Sequence, residues 1–153
     1  MPRISDIEML EKAEQPSVAI RTTTSADKLH ALIGESYGKL AAYLNSQGRL
    51  MADVPYVAYH TMDMQNLDVE MGFPLASPLP GDGDIQPSQI PAGKYVFCMF
   101  QGSYADVEPV YADMATWIND HKLAPAGPAY EAYYNGPDIA PDLELTMILM
   151  PVR

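Results

Sequence analysis

Apolar and β-branched residues in the first half of the chain follow a strand pattern and then a helix pattern. Residues 17–24 are rich in both classes, which predicts a β-strand. Ser25 supplies an N-cap signal, and Gly48 marks the end of the helix that follows. The apolar positions of this helix recur at helical spacing, at Leu29, Leu32, Ile33, Leu40, Tyr43 and Leu44. Two short apolar runs, at 55–60 and 67–73, then predict a hairpin of two strands.

The second half of the chain shows the same patterns in the same order. Residues 94–101 predict a strand. Residues 105–121 predict a helix with Pro109 in its first turn, where proline is tolerated. Residues 129–134 and 143–150 predict the closing hairpin.

The two halves also resemble each other in sequence, which indicates an internal repeat. Three blocks of the first half each match a block of the second half. For the first two blocks the match lies 74 positions further along the chain. For the third it lies 76 positions further, as if two residues had been inserted before it. The blocks recur in order: residues 37–45 at 111–119, residues 56–59 at 130–133, and residues 67–71 at 143–147.

These patterns predict an α+β fold made of two pseudo-two-fold related β-α-β-β units. Their antiparallel sheets are expected to form a central groove, with the helices packed on the other side. Residues 1–153 are interpreted as one domain. It consists of repeat 1 at about 5–75, a linker at about 76–91 and repeat 2 at about 92–153. The segment 74–91 carries five prolines and two glycines, which favours the linker. Residues 7–10 are expected to extend the first strand.

Composition excludes several functional classes. The net charge is −11 and the nine Lys and Arg residues form no cluster, which argues against direct binding of nucleic acid. No long apolar run or secretory signal pattern is present, so we expect a cytoplasmic protein and no membrane segment. One cysteine and three scattered histidines favour neither a metal site nor a cofactor. The acidic balance suits either solubility or the attraction of cationic ligands.

The candidate ligand site comes from comparing the two hairpins. Glu131 and Tyr133 point to one side of their strand, and the repeat puts Val57 and Tyr59 at the matching positions. One wall of the predicted groove therefore carries a carboxylate and the other does not. A carboxylate among aromatic rings attracts a cation strongly, because little water screens it. The alternative is a solvated glutamate on an edge strand.

Three further aromatic residues are candidate ligand contacts. Tyr95 and Phe97 share one strand face and line either the groove or the core. Trp117, on the second helix, serves either as core or as a ligand platform.

The chain resembles the GyrI-like small-molecule-binding family, which includes effector domains of AraC-type and MerR-type regulators as well as stand-alone proteins. The similarity covers nearly the whole chain. It is most specific at residues 127–137, where a Tyr-Glu-x-Tyr strand precedes an Asn-x-Pro turn, and it is also carried by residues 56–59, 67–69, 93–95 and 117–118. The resemblance implies a protein that binds large, flat, often cationic compounds, with Glu131 in an aromatic pocket.

The residues leave three functions open. A multidrug-type binding protein would hold a hydrophobic, cationic, aromatic molecule beside Glu131. Some family members resemble hydrolases that open strained rings with an acidic residue, so Glu131 is also a candidate catalytic residue, and whether the protein is an enzyme stays open. The third function is binding of a protein partner such as gyrase or a regulator. No helix-turn-helix segment precedes the first strand, so we expect no DNA-binding module in this chain.

Overall fold

The computed structural model describes residues 3–61, 63–136 and 138–153. Within them the fold is α+β, as predicted. Its elements are β1 Glu8–Lys12, β2 Gln15–Thr24, α1 Leu29–Ser46, β3 Tyr56–Tyr59, β4 Leu67–Pro74, β5 Gln86–Ile90, β6 Gly93–Gln101, α2 Glu108–Asp120, β7 Ala129–Tyr133 and β8 Leu145–Val152. A short 3₁₀ turn precedes each helix, at Ala26–Lys28 and Tyr104–Asp106. Within the described residues, no helix is long and apolar enough to cross a membrane.

The chain divides into two compact units. The first joins the segment that ends at Ala13 to Ala92–Arg153, and the second is Glu14–Pro91. In the first unit the antiparallel strand order is β1-β6-β8-β7, and in the second it is β5-β2-β4-β3. Each unit therefore contains the predicted β-α-β-β repeat plus one edge strand.

The two edge strands differ from the sequence expectation. Residues 7–10 were expected to extend the first strand, but β1 pairs with β6 of the second repeat, for example at Leu10 and Tyr95. The proline-rich linker contains a strand, β5, that pairs with β2 along residues 15–19. Proline is tolerated in β5 because an edge strand leaves one row of its N–H groups unpaired.

The hairpin registers correct the third block of the repeat alignment. Tyr56 pairs with Gly72, and the equivalent Tyr130 pairs with Leu149, so the second strands match at a spacing of 77 (149 − 72) rather than 76. The 3₁₀ turn Pro141–Leu143 accommodates the extra residues before β8. This correction matters because a shift of one residue moves every side chain to the opposite face of its strand.

The core of the first unit lies between its sheet and α2. Val110, Met114 and Ile118 of the helix are buried against residues of β6 and β8, including Cys98 and Ile148. In the second unit, α1 packs against β2 and β4, and the apolar residues it buries are Leu29, Leu40, Tyr43 and Leu44.

The opposite sheet face of the second unit holds a buried carboxylate, Glu70. Its Oε1 is 3.0 Å from His60 Nε2, and its Oε2 accepts hydrogen bonds from Ser88 and, at 3.5 Å, from Tyr56. The Tyr56 hydroxyl is also 2.8 Å from Ser17 Oγ. Because these residues come from β2, β4, β5 and the β3 hairpin, the network ties the four strands together.

Candidate functional site

Strand β7 places Glu131 on the sheet face that α2 covers. Glu131 pairs with Ile148 of β8, and residues paired directly across an antiparallel ladder point to the same face. Ile148 belongs to the cluster that contains Met114 and Ile118 of α2. Glu131 is therefore held between strand and helix and is only 3% exposed. The sequence placed Glu131 in the groove on the side away from the helices, so the position of this side chain differs from the expected one.

Two tyrosine hydroxyls each donate a hydrogen bond to one oxygen of Glu131. The Tyr111 hydroxyl, from α2, is 2.5 Å from Oε2, and the Tyr133 hydroxyl is 2.8 Å from Oε1. Tyr133 reaches the carboxylate because residues two apart on a strand share a face. Tyr111 reaches it because it begins the second turn of the overlying helix.

Burial controls the protonation of this cluster. Removal of Glu131 from water raises the pKa of its carboxyl, and the hydrogen bonds from Tyr111 and Tyr133 offset only part of that rise. Burial, reinforced by the charge of Glu131, raises the pKa of the Tyr111 hydroxyl well above its usual value. Tyr111 thus stays neutral, and an ionised Glu131 keeps its negative charge in a buried site beside aromatic rings. Such a group attracts a cation or, when protonated, can donate a proton.

Two other predicted residues of the first unit, Tyr95 and Phe97, do not lie beside Glu131. Tyr95 and Phe97 pair with Pro151 and Leu149, so they lie on the sheet face opposite Glu131. Tyr95 is buried and contacts the ring of Tyr130 at 6.2 Å between centroids. The strand register therefore does not bring either side chain to the carboxylate.

Trp117 occupies an intermediate position on α2. It packs against the core cluster and stacks on His121 with ring centroids 3.6 Å apart. Its role as a ligand platform stays a prediction.

Val57 and Tyr59 belong to the second unit. Both are buried on β3, where they pair with Met71 and Val69. Their predicted place opposite Glu131 in a groove between the repeats also stays a prediction.

Tyr111 is the site residue that the sequence reasoning missed. The repeat alignment pointed to it as the equivalent of Tyr37, which was expected to pack on its sheet. Tyr37 does contact Phe73, and its hydroxyl donates to the backbone oxygen of Tyr56 at 2.9 Å. Tyr111 has a different acceptor because the residue equivalent to Val57 in its own repeat is Glu131. The signal for Tyr111 was therefore present in two pairs of equivalent positions, Tyr37 with Tyr111 and Val57 with Glu131, which had to be considered together.

Among the described residues, neither Cys98 nor the potential metal-ligating side chains form a site of comparable chemistry. Burial raises the pKa of the Cys98 thiol to about 11, which makes it a poor nucleophile at neutral pH. The part of the chain that the structure describes contains no group of three His, Cys, Asp or Glu side chains that could hold a metal ion. Pro137, the last residue of the predicted Asn-x-Pro turn, lies outside the described residues.

Comparison with known proteins links the chain to a family. A family model described as "GyrI-like small molecule binding domain" matches residues 5–153. A search of curated protein sequences finds no significant match.

Solved structures share the fold at low sequence identity. EcmrR in a cryo-EM complex with DNA gives a TM-score of 0.84 at 19% identity, over 97% of this chain and 57% of the EcmrR chain. A hydrolase from Listeria innocua gives 0.71 at 14% identity, over 96% and 91% of the two chains. SAV2435 bound to tetraphenylphosphonium gives 0.66 at 15% identity, over 97% and 94%. The chain thus spans little more than half of EcmrR, and these likenesses establish a shared fold.

Proposed function

The chain belongs to the family of GyrI-like small molecule binding domains, and on that premise we propose that it binds hydrophobic, aromatic organic cations at Glu131. The observation that carries the proposal is a buried carboxylate whose two oxygens are held by the neutral hydroxyls of Tyr111 and Tyr133. The solved structure of SAV2435 with tetraphenylphosphonium supports the choice of ligand class, because that ligand is a bulky aromatic monocation.

The physical basis of selectivity is the cost of burying Glu131 as an anion. A hydrophobic cation lowers that cost by supplying the opposite charge, and its apolar groups leave water at the same time. Each aromatic face that meets the cation adds roughly 0.5–2 kcal/mol. A neutral analogue of the same shape gains only the apolar part, and an anion is repelled.

Titration with rhodamine 6G, followed by fluorescence anisotropy, tests the charge of Glu131. Glu131→Gln is expected to raise the Kd about tenfold or more, equivalent to about 1.4 kcal/mol or more. The matched control is Glu70→Gln, because Glu70 is the buried carboxylate of the other unit and is 7% exposed. Circular dichroism checks that both variants fold. An unchanged Kd in Glu131→Gln, with Glu70→Gln also unchanged, would overturn the proposal.

The affinity should also depend on pH in a defined direction. Because burial raises the pKa of Glu131, the site is neutral at low pH and becomes anionic as the pH rises through that value. The Kd for rhodamine 6G, which keeps its charge over this range, should therefore decrease with rising pH. Glu131→Gln should abolish this dependence.

Hydrolysis of a strained electrophile is a second candidate function of the same cluster. It is favoured by the raised pKa of Glu131, which suits a general acid or base, and by the short hydrogen bond from Tyr111. A solved relative of similar fold is a hydrolase. Mass spectrometry of epoxides and cyclopropanes incubated with the protein should show addition of one water molecule, and Glu131→Gln should stop it. Unchanged compounds after prolonged incubation with excess protein would contradict this second function.

A further inference from the structure

One end of the first unit exposes three large apolar side chains. Tyr104 follows β6, Tyr134 follows β7, and Leu143 precedes β8. Tyr104 and Leu143 are each 50% exposed, and Tyr134 is 38% exposed. We call these three residues the rim.

Hydrogen bonds hold the three segments of the rim together. The backbone N–H of Gly102 donates to the oxygen of Glu144 at 2.9 Å, which joins the end of β6 to the segment before β8. The N–H of Tyr134 donates to the oxygen of Leu145 at 3.1 Å, which joins the end of β7 to β8. The rim therefore has a fixed framework.

The rim lies next to the residues that hold Glu131. Tyr134 directly follows Tyr133, whose hydroxyl bonds the carboxylate. Tyr104 begins the 3₁₀ turn that leads into α2, the helix that carries Tyr111. The hydroxyl of Tyr104 also contributes to the raised pKa of the Tyr111 hydroxyl, after burial and Glu131.

Acidic residues predominate in the segments that carry the rim, and the nearby cation Arg3, which bridges to Phe100, is paired with Asp113 of α2 at 3.6 Å. Residues 101–120 and 129–152 contain no Lys, Arg or His. Carboxylates occur on each side of the exposed apolar residues, at Asp106, Glu108, Asp138, Asp142 and Glu144. A ligand that covers the rim must therefore be apolar where it meets the rings and, by charge complementarity, positive.

The first repeat provides an internal comparison. Its 3₁₀ turn, Ala26–Lys28, precedes α1 as the turn Tyr104–Asp106 precedes α2, and it begins with an alanine where the second turn begins with Tyr104. The exposed aromatic ring at this turn is thus specific to the repeat that also carries Glu131, whereas both turns contain an aspartate, Asp27 and Asp106.

We propose that the rim is an outer contact surface for the ligand. Tyr104 then determines the preference of the binding site for aromatic cations over other hydrophobic molecules. The inference rests on the proposed function and adds to it a residue that acts outside the Glu131 cluster. The occupant is an aromatic organic monocation long enough to extend from Glu131 to Tyr104.

Two substitutions separate ring chemistry from bulk at position 104. Tyr104→Phe keeps the aromatic face and should leave the Kd for rhodamine 6G within about twofold of the wild-type value. Tyr104→Leu keeps an apolar side chain without a π-system and should raise the Kd about threefold to tenfold. Leu50→Ala is the surface control, because Leu50 is 88% exposed in the other unit, and it should leave the Kd unchanged.

The outcomes distinguish this inference from the proposed function. If Glu131→Gln weakens binding but Tyr104→Leu binds as the wild type does, the rim inference is wrong and the function stands. If the wild-type protein binds neither rhodamine 6G nor tetraphenylphosphonium, both are wrong. Sedimentation velocity tests whether the rim binds a second copy of the chain instead. A wild-type dimer that Tyr104→Leu converts to a monomer would show this and would overturn the inference.

Discussion

At the scale of single residues, the same side chain has two roles in the two repeats. Tyr37 and Tyr111 occupy equivalent helix positions, yet one donates to a backbone oxygen and the other to the Glu131 carboxylate. The difference comes from one substitution between the repeats, because Val57 offers no acceptor and its equivalent Glu131 does. Tyr111 thus becomes part of the candidate site without any change in its own identity.

Removal of the Tyr111 hydroxyl should change the ionisation of the site. Tyr111→Phe deletes a hydrogen bond that favours the charged carboxylate, so the pKa of Glu131 should rise further. The pH at which rhodamine 6G binding strengthens should shift upward in this variant. Tyr37→Phe is the matched control, and it should lower stability by about 1 kcal/mol without moving the pH profile. Identical pH profiles for the two variants would contradict the role of Tyr111.

Glu131 should also make the fold less stable at higher pH. The pKa of Glu131 in the folded state is raised above the usual value of 4.5, which means that folding favours the protonated carboxyl. Its favourable contribution is complete below the unfolded pKa and is lost as the pH rises through the folded pKa. In urea unfolding, the stability of Glu131→Gln relative to wild type should therefore increase as the pH rises through this window. A difference that is independent of pH would show that Glu131 does not titrate as inferred.

At the scale of elements, a glycine in β4 allows an aromatic ring of β3 to lie across the strand. Tyr56 pairs with Gly72, and a Cβ at position 72 would overlap the Tyr56 ring. The ring is then positioned so that its hydroxyl meets Ser17 and Glu70. The buried polar network of the second unit therefore depends on a residue without a side chain.

Two glycine-to-alanine substitutions should have opposite effects on stability. Gly72→Ala should destabilise the protein by about 2–3 kcal/mol, because Tyr56 is fully buried and cannot move aside without strain. Gly38→Ala should stabilise it by about 0.5–1 kcal/mol, because this exposed helix position has no neighbouring atom within 4 Å. Thermal and urea unfolding measure both. A neutral Gly72→Ala variant would contradict the packing described for Tyr56.

At the scale of the whole molecule, the net charge of −11 favours a general attraction for cations, and the proposed site at Glu131 would add specificity to it. Each unit contributes one buried carboxylate, but the two have different surroundings. Glu70 has a histidine beside it at 3.0 Å, whereas the donors to Glu131 are neutral phenols. Glu70 also accepts hydrogen bonds from Ser88 and Tyr56, so the neighbouring His60 is the feature that distinguishes its surroundings from those of Glu131.

The association rate of a cationic ligand should fall with ionic strength. Raising the salt from about 0.01 M to about 0.1 M shortens the Debye length from about 30 Å to about 10 Å, which screens the field of the acidic surface. In stopped-flow mixing with rhodamine 6G, the association rate constant should drop several-fold while the dissociation rate constant changes little. An association rate that does not depend on salt would assign the acidic composition to solubility.

The fold class and the order of elements were predictable because they depend on local patterns. Helical and strand periodicity, together with Ser25, Gly48 and Pro109, gave each element of the repeat to within a few residues. The exceptions are the edge strands β1 and β5, whose short and partly proline-containing sequences carry weak local signals. Both form because a long strand of the repeat, β6 or β2, offers them a free edge.

The sequence by itself determined the repeat, the difference between Val57 and Glu131, and the side of the strand that Glu131 and Tyr133 share. These follow from alignment and from the two-residue period of a strand. Only the tertiary structure decided that this side faces α2 and that Tyr111 completes the cluster. It also decided that the second strands of the two hairpins, β4 and β8, match at a sequence spacing of 77. The physical reason is that register and helix docking depend on pairing between residues far apart in the chain, where a shift of one residue reverses every face.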